Sequence, residues 1–328
     1  MSGQEEEVAE ALWYVGPGRS EIREERLKPL ADGKVRVRAL YGAISRGTEA
    51  LIAAGRVPAG EYQRMRGPFM AGTFPFPVKY GYSTVGAVEA GPDDLIGRNV
   101  FALHPHQTRF DIPAEVVVPI PPDIPLSRAV MAANMETALN ATWDASPGPY
   151  GRIAVIGAGV VGALVAFICT RIDGAEVTLI DIDRSREALA LTLGVRFATP
   201  DAAPTDCDYI FHTSASAEGL TTALNIAAEE ASIIEMSWYG SGIVAVPLGG
   251  AFHSRRLRLI SSQVGKVAPS HRATYSYRER LEAALALTAH PHLDALLAPA
   301  VSFRELPTVL PDILKPRSGV LCQLISYS

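Results

Sequence analysis

The residues with the clearest chemistry are three glycines and an aspartate. Gly157-Ala158-Gly159-Val160-Val161-Gly162 spells GxGxxG directly after the strand-like run IAVIG and opens a helix-like apolar run. In such a motif the first glycine turns strand into helix, the second lets backbone approach a pyrophosphate, and the third permits close helix–sheet packing. The helix N-terminus then offers N–H donors and a positive dipole end to the phosphates. Asp181 lies 19 residues beyond Gly162, at the end of the next strand-like run VTLID, where a carboxylate accepts hydrogen bonds from an adenosine ribose. The pattern predicts dinucleotide binding with NAD preferred over NADP, because Asp181 repels a 2′-phosphate. Arg184 and Arg186 are the competing groups that could hold that phosphate.

The elements that must position these residues follow from periodicity. After Pro125 the chain alternates helix-like and strand-like runs: a helix from about Ser127 to Asp144, IAVIG, a helix from Val160, VTLID, a helix near Arg184, DYIFHTS, a helix near Glu218 to Glu229, then SIIEMSW and LRLISSQVG. That order is the signature of a parallel sheet covered by helices. From Lys34 to about Pro122 the text instead alternates apolar and polar residues with Gly and Pro punctuation, as in KVRVRALYGAIS, which predicts short antiparallel strands in a barrel-like domain with few helices. Residues 55–80, with four prolines and four glycines, read as a long functional surface loop. The end of the chain reads as a helix, YRERLEAALALTAH, then a further helix and a closing strand.

Composition narrows the function. The 328 residues, 48% hydrophobic and 20% charged, suit a packed two-domain globular protein. Thirty Lys+Arg against 35 Asp+Glu, a net charge of −5, leave no positive field for a nucleic-acid backbone. Three scattered cysteines, Cys169, Cys207 and Cys322, provide neither a disulfide framework nor a CxxC zinc site and fit a reducing cytoplasm. The acidic start MSGQEEEVAE lacks the apolar core of a signal peptide. The 17 apolar or glycine positions from Ile153 to Cys169 approach a membrane span in length, but Gly157, Gly159 and Gly162 divide them into strand, turn and helix. No membrane role is expected.

Beyond the glycine motif, KVRVRALYGAISRGTEA, PVKYGYSTVGAVEAGPDDLIGRNVF, EVVVPIPPDIP, VIGAGVVGALVAFICTRIDGAEVTLIDID and SFRELPTVLP together resemble the medium-chain dehydrogenase/reductase superfamily, over nearly the whole length. The resemblance implies an α/β fold: a GroES-like β-rich catalytic domain plus a Rossmann doubly wound parallel sheet. It places the catalytic domain at 1–127, the Rossmann domain at 128–265, and a return to the catalytic domain at 266–328. It also implies a homodimer. The SxGTE form of the first motif is shared with a bacteriochlorophyllide dehydrogenase of that superfamily.

Departures from the zinc-dependent members stand out. Where they carry a catalytic Cys this chain reads Ser45-Arg46-Gly47-Thr48-Glu49, and where they carry the His of Gly-His-Glu it has Gly81-Tyr82-Ser83. The segment AANMETALN covers the third ligand position without a Cys. Tyr and Ser are poor zinc ligands, so no catalytic metal is expected. Without zinc, a donor or cation must polarise the substrate oxygen and a group must carry a proton. Arg46, Tyr82, His104 and His106 are the polarising candidates, Thr48 matches the family's hydroxyl relay position, and Glu49 and Glu136 could accept a proton.

Each has a plainer reading. Arg46 and Glu49 could pair with each other, Tyr82 could be a packed tyrosine, and His104 and His106, two apart on a predicted strand, could bind a metal or be ordinary polar residues beside Pro105. Thr137, Gly157, Gly159, Val160, Val161, Gly162, Asp181 and Thr213 form the expected cofactor set. The reading that follows is an NAD(H)-dependent oxidoreductase interconverting an alcohol and a carbonyl compound without zinc. The alternatives are an enone or quinone reductase using NAD(P)H and a dinucleotide-binding protein without turnover. Tyr62, Phe69, Phe74, Phe76, Met65 and Met70 in the long loop suggest an apolar or bulky small-molecule substrate, or else core or dimer contacts.

Overall fold

A computed structural model describes residues 7–316 and 318–327; the first six residues of the acidic N-terminal run lie outside that range. The chain begins with β1 (Val8–Gly16), β2 (Arg19–Arg26), β3 (Lys34–Ile44), α1 (Arg46–Ala53), β4 (Ala71–Gly72), β5 (Val78–Lys79), β6 (Thr84–Ala90), β7 (Asn99–Ala102), β8 (Arg109–Pro113), β9 (Val118–Pro119) and α2 (Leu126–Ala129). It continues with α3 (Ala132–Ala145), β10 (Arg152–Ile156), α4 (Val160–Cys169), β11 (Glu176–Ile180), α5 (Glu187–Leu193), β12 (Arg196–Ala198), β13 (Cys207–His212), α6 (Ala217–Ile226), β14 (Ala227–Glu235), β15 (Arg258–Ser261) and α7 (Tyr277–Leu287). It ends with β16 (Leu297–Ser302), α8 (Leu306–Leu314) and β17 (Cys322–Ser326). Two compact units result, one of residues up to Ala133 together with those from Leu297 onward, the other Asn134–Leu296.

In the first unit, β3 alternates as its sequence requires. Val35 and Val37 are fully buried and pack with Val88, Val100, Phe110 and Ile112, while Arg36 turns outward to meet Asp111 on β8, Nε to Oδ1 at 2.8 Å. A period of two puts successive side chains on opposite faces. The sheet runs β16-β17-β3-β6-β7-β9, with β8 also on β3. The closing strand β17 lies antiparallel to β3, from Gln323↔Ile44 to Ser326↔Tyr41. A second sheet, β2-β1-β5-β4, draws its last two strands from the segment read as a loop. The 55–80 segment is therefore a partly regular excursion: Phe74 and Met70 are core residues, and the prolines confine the pairing to two residues per strand.

The second unit is a six-stranded, all-parallel sheet in the order β12-β11-β10-β13-β14-β15. Numbered within the sheet this is 3-2-1-4-5-6, the doubly wound order with its switch point between β10 and β13. The apolar run Ile153–Cys169 divides as expected into β10, a turn and α4, whose residues Gly162–Cys169 are all buried. Among the described residues no helix is long and apolar enough to cross a membrane.

Four boundaries differ from expectation, the first being the end of the first unit's leading part, at Ala133 and not at 127. The helix from Ser127 to Asp144 is two, α2 and α3. The helix near Glu218–Glu229 stops at Ile226, because Ala227 turns to the extended conformation and pairs with Cys207. The return to the first unit falls at Leu297, not at 266. Residues 266–296 stay with the second unit because Arg280 on α7, 2% exposed, is tied to it on every side. Its Nε donates to Glu136 Oε1 at 3.0 Å, Nη1 to Asn140 Oδ1 at 2.6 Å and Lys266 O at 3.1 Å, and Nη2 to Val264 O at 2.6 Å. Removing one member of a buried ion pair strands the other charge. Arg280→Met is expected to cost about 3–5 kcal/mol, read as a lowered urea midpoint, and an unchanged midpoint would refute the clamp.

Candidate functional site

The three motif glycines serve three different purposes in the second unit. Gly157 ends β10 at φ +104°, and a Cβ there would stand 2.8 Å from Thr213 Oγ1 and 2.9 Å from Ser214 N. A methyl on Gly162 would stand 1.9 Å from Gly157 O, so α4 can lie against the strand end only without one. Gly159, the extended N-cap of α4, is exposed, and a Cβ there would meet nothing within 4 Å. That open approach, beside the first-turn amides of Val160, Val161 and Gly162 that lack intrahelical acceptors, fits a pyrophosphate.

Asp181, just past β11, accepts from Ala158 N at 2.6 Å through Oδ2 and from Asp183 N at 2.8 Å through Oδ1. The carboxylate is thereby held against the middle of the glycine turn. Arg186 pairs with Asp183 at 3.4 Å, while Arg184 is exposed. Thr213 clips the turn, its hydroxyl donating to Ile156 O at 3.0 Å and Gly157 O at 2.9 Å. Thr137 sits half-buried on α3.

In the first unit the chain leaves β3 at Ser45 and enters α1, which gathers the other candidates. The Tyr82 hydroxyl donates to Ser45 Oγ and lies 3.3 Å from Thr48 Oγ1. Burial pushes the phenol up to about 12, against the lowering effect of those two hydroxyls, so it stays protonated at neutral pH. Behind this hydroxyl cluster Glu49 is 1% exposed, its Oε1 accepting from Ser45 N at 2.8 Å and its Oε2 from the Tyr14 hydroxyl at 2.6 Å. His106, fully buried, places Nε2 3.0 Å from the same Oε2, and its Nδ1 has no hydrogen-bond partner among the described residues. Gly81, at φ +128°, lies so close to this ring that a Cβ would meet its atoms at 2.9 Å. A bare residue is needed to seat the imidazole.

Several candidates are placed elsewhere. Arg46 does not pair with Glu49: its guanidinium donates to the carbonyls of Ile313 (2.9 Å), Lys315 (2.9 Å) and Val320, anchoring α1 to the C-terminal segment. Glu136 belongs to the Arg280 clamp in the second unit, where burial raises its pKa in spite of the guanidinium. His104 and His106 lie in the connection between β7 and β8, not on a strand. The His104 ring stacks on Phe110 at 3.7 Å between centroids, and burial lowers its pKa to about 3, leaving it neutral packing. Among the described residues no group of three or more His, Cys, Asp or Glu side chains could hold a metal ion. The loop aromatics form a line, Tyr62–Phe74 at 5.8 Å, Phe74–Tyr80 at 6.2 Å and Tyr80–Tyr82 at 6.0 Å, that ends on the hydroxyl cluster.

One cluster the sequence analysis overlooked, His212 with Glu235 and Ser214, sits at the carboxyl ends of β13 and β14. Its signal was a histidine closing an otherwise apolar buried strand, YIFH.

No protein-family model matches the chain, and no curated protein matches it by sequence. Solved structures do match. L-idonate 5-dehydrogenase from Escherichia coli K-12 is similar at a TM-score of 0.79, 13% identity and coverage of 98% of this chain and 99% of that one. An alcohol dehydrogenase from Escherichia coli CFT073 complexed with NADH gives 0.75, 16%, 98% and 99%. A dehydrogenase from Sinorhizobium meliloti 1021, assigned as zinc-binding and bound to NADP, gives 0.77, 15%, 98% and 99%. At such identities the likeness concerns backbone: over almost its whole length this chain shares the fold of these dehydrogenases.

Proposed function

We propose that the protein is an NAD(H)-dependent oxidoreductase that interconverts an alcohol and a carbonyl compound by hydride transfer, without a catalytic zinc. The observation that carries the reading is the glycine turn at the sheet's switch point, with Asp181 bonded to its middle residue. Ligands of open parallel sheets bind outside the carboxyl ends of the strands at that point. A bound nicotinamide dinucleotide supplies or takes up the hydride. The α4 amides and the open face of Gly159 hold its pyrophosphate, and Asp181 accepts from its ribose hydroxyls. That fold-mates were solved with NADH and with NADP supports the cofactor class.

The first unit supplies what zinc supplies elsewhere. Tyr82, Ser45 and Thr48 form a hydrogen-bonding cluster of hydroxyls at the start of α1. Oriented donors at a substrate oxygen stabilise the charge that develops there. Glu49 is a positioning residue that fixes Ser45 through its backbone N–H, and Tyr14 and His106 hold that carboxylate in place. The neighbouring Phe74–Tyr80 line favours an apolar or bulky small molecule as substrate. A homodimer, to be read by sedimentation velocity, and a cytoplasmic location, in keeping with three buried unpaired cysteines, complete the proposal.

Four measurements test it. NADH is expected to bind at least ~10-fold more tightly than NADPH, since an uncompensated like-charge contact costs on the order of 1.4 kcal/mol or more. Asp181→Ala should abolish the difference, and tighter NADPH binding by the wild type would overturn the NAD assignment. Tyr82→Phe, which leaves the ring packing in place, is expected to lower kcat by ~100-fold or more, the usual scale for an oxyanion donor, with dinucleotide affinity unchanged. Gly159→Ala should retain the wild-type unfolding midpoint but bind dinucleotide more weakly, whereas Gly162→Ala should lose stability. Deuteride from labelled NADH should appear on a carbinol carbon; its arrival at a β-carbon would select enone reduction instead.

A further inference from the structure

At the carboxyl ends of β13 and β14, Glu235, His212 and Ser214 form a continuous hydrogen-bonded chain. Glu235 Oε2 lies 2.7 Å from His212 Nδ1, and His212 Nε2 lies 2.7 Å from Ser214 Oγ. His212 is fully buried, whereas Ser214 is exposed. The carboxylate accepts two further bonds, from Ser237 N at 2.7 Å and the Tyr239 hydroxyl at 3.1 Å. Burial works against its charge, but the hydrogen bonds from His212 and from the Ser237 amide hold it below the ordinary glutamate range. An ionised Glu235 fixes the proton on Nδ1, which leaves the Nε2 lone pair to accept from Ser214.

We propose that Ser214 is an activated nucleophile, with His212 as its base and Glu235 as the group that orients the base, and that it is acylated by activated carboxylic esters and phosphonylated by phosphonate esters. A nucleophile and base within hydrogen-bond reach, with the base oriented by a third group, is the arrangement that makes a serine hydroxyl reactive.

Two local features favour reaction over mere packing. Ser214 stands at a strand–turn–helix corner, followed by Ala215 at φ +52°, a conformation costly for a residue with a side chain. Such a corner lifts a hydroxyl clear of the sheet. Room for the Ser214–His212 bond is provided by Gly219 in the first turn of α6, where a Cβ would stand 2.2 Å from Ser214 Oγ and 2.8 Å from His212 Nε2. That turn also brings the amides of Ala217 and Glu218, which have no intrahelical acceptor. Ser214 N lies beside Gly157, so the hydroxyl borders the crevice where the sheet's ligands bind. With a p-nitrophenyl ester, Ser214 Oγ attacks the carbonyl carbon and its proton passes to His212 Nε2. The bond to p-nitrophenolate breaks, the leaving oxygen departs with the electron pair, and acyl-serine remains until water hydrolyses it.

The test uses the full chain with a fluorophosphonate probe, which loses fluoride on reaction, and with p-nitrophenyl acetate. Tandem mass spectrometry of the wild type is expected to place one adduct on Ser214, with a p-nitrophenolate burst of about one per chain. Ser214→Ala should carry no adduct. Glu235→Gln, checked for wild-type circular dichroism, should slow labelling by ~100-fold, the lower range of general-base contributions. An unlabelled wild type, an adduct confined to other residues, or equal labelling rates in a folded Glu235→Gln protein would each overturn the proposal. None of these outcomes depends on dinucleotide binding.

Discussion

A methyl group placed on Gly162 would stand 1.9 Å from the carbonyl oxygen of Gly157, and the second unit is organised around the contact that this bare backbone allows. Because α4 can lie that close to the end of β10, its residues from Gly162 to Cys169 are all buried. The same closeness turns the amide ends of α4 toward the crevice at the switch point. Thr213 and Asp181 then brace the turn from either side, one through Gly157 O and the other through Ala158 N. A packing constraint and the proposed dinucleotide-binding surface are thus the same few atoms.

The first unit depends in a comparable way on one buried carboxylate. Glu49 collects the Ser45 amide, the Tyr14 hydroxyl and the His106 ring, so β1, the β3–α1 corner and the β7–β8 connection converge on it. A buried carboxylate with several partners is costly to disturb, since any lost partner leaves desolvated charge behind. What the arrangement presents outward is a set of neutral hydroxyls, with the phenol of Tyr82 held protonated. Neutral donors can bond a substrate oxygen in both its carbonyl and its alcohol form, as the proposed hydride transfer requires. Arg46 illustrates the converse. Its charge is consumed by three carbonyls of the C-terminal segment, so it fastens α1 and its hydroxyls to a strand-and-helix return more than 260 residues away.

Local sequence determined a great deal. The period-two pattern of KVRVR, the βα alternation after Pro125, the glycine motif and Asp181 were all legible, because each depends on residues a few positions apart obeying helix or strand geometry. What only the tertiary structure decided was which polar groups meet across the chain. Glu136 looked like a proton acceptor until Arg280, 144 residues later, was seen to hold it, and that same pair moved the unit boundary to Leu297. His212 and Glu235, 23 residues apart, come together only because β13 and β14 pair in parallel register with those two residues opposite each other. A side chain's identity sets the bonds it can form, but its partners are set by strand order and register, which arise from the burial of the whole sheet and are not written at any one position.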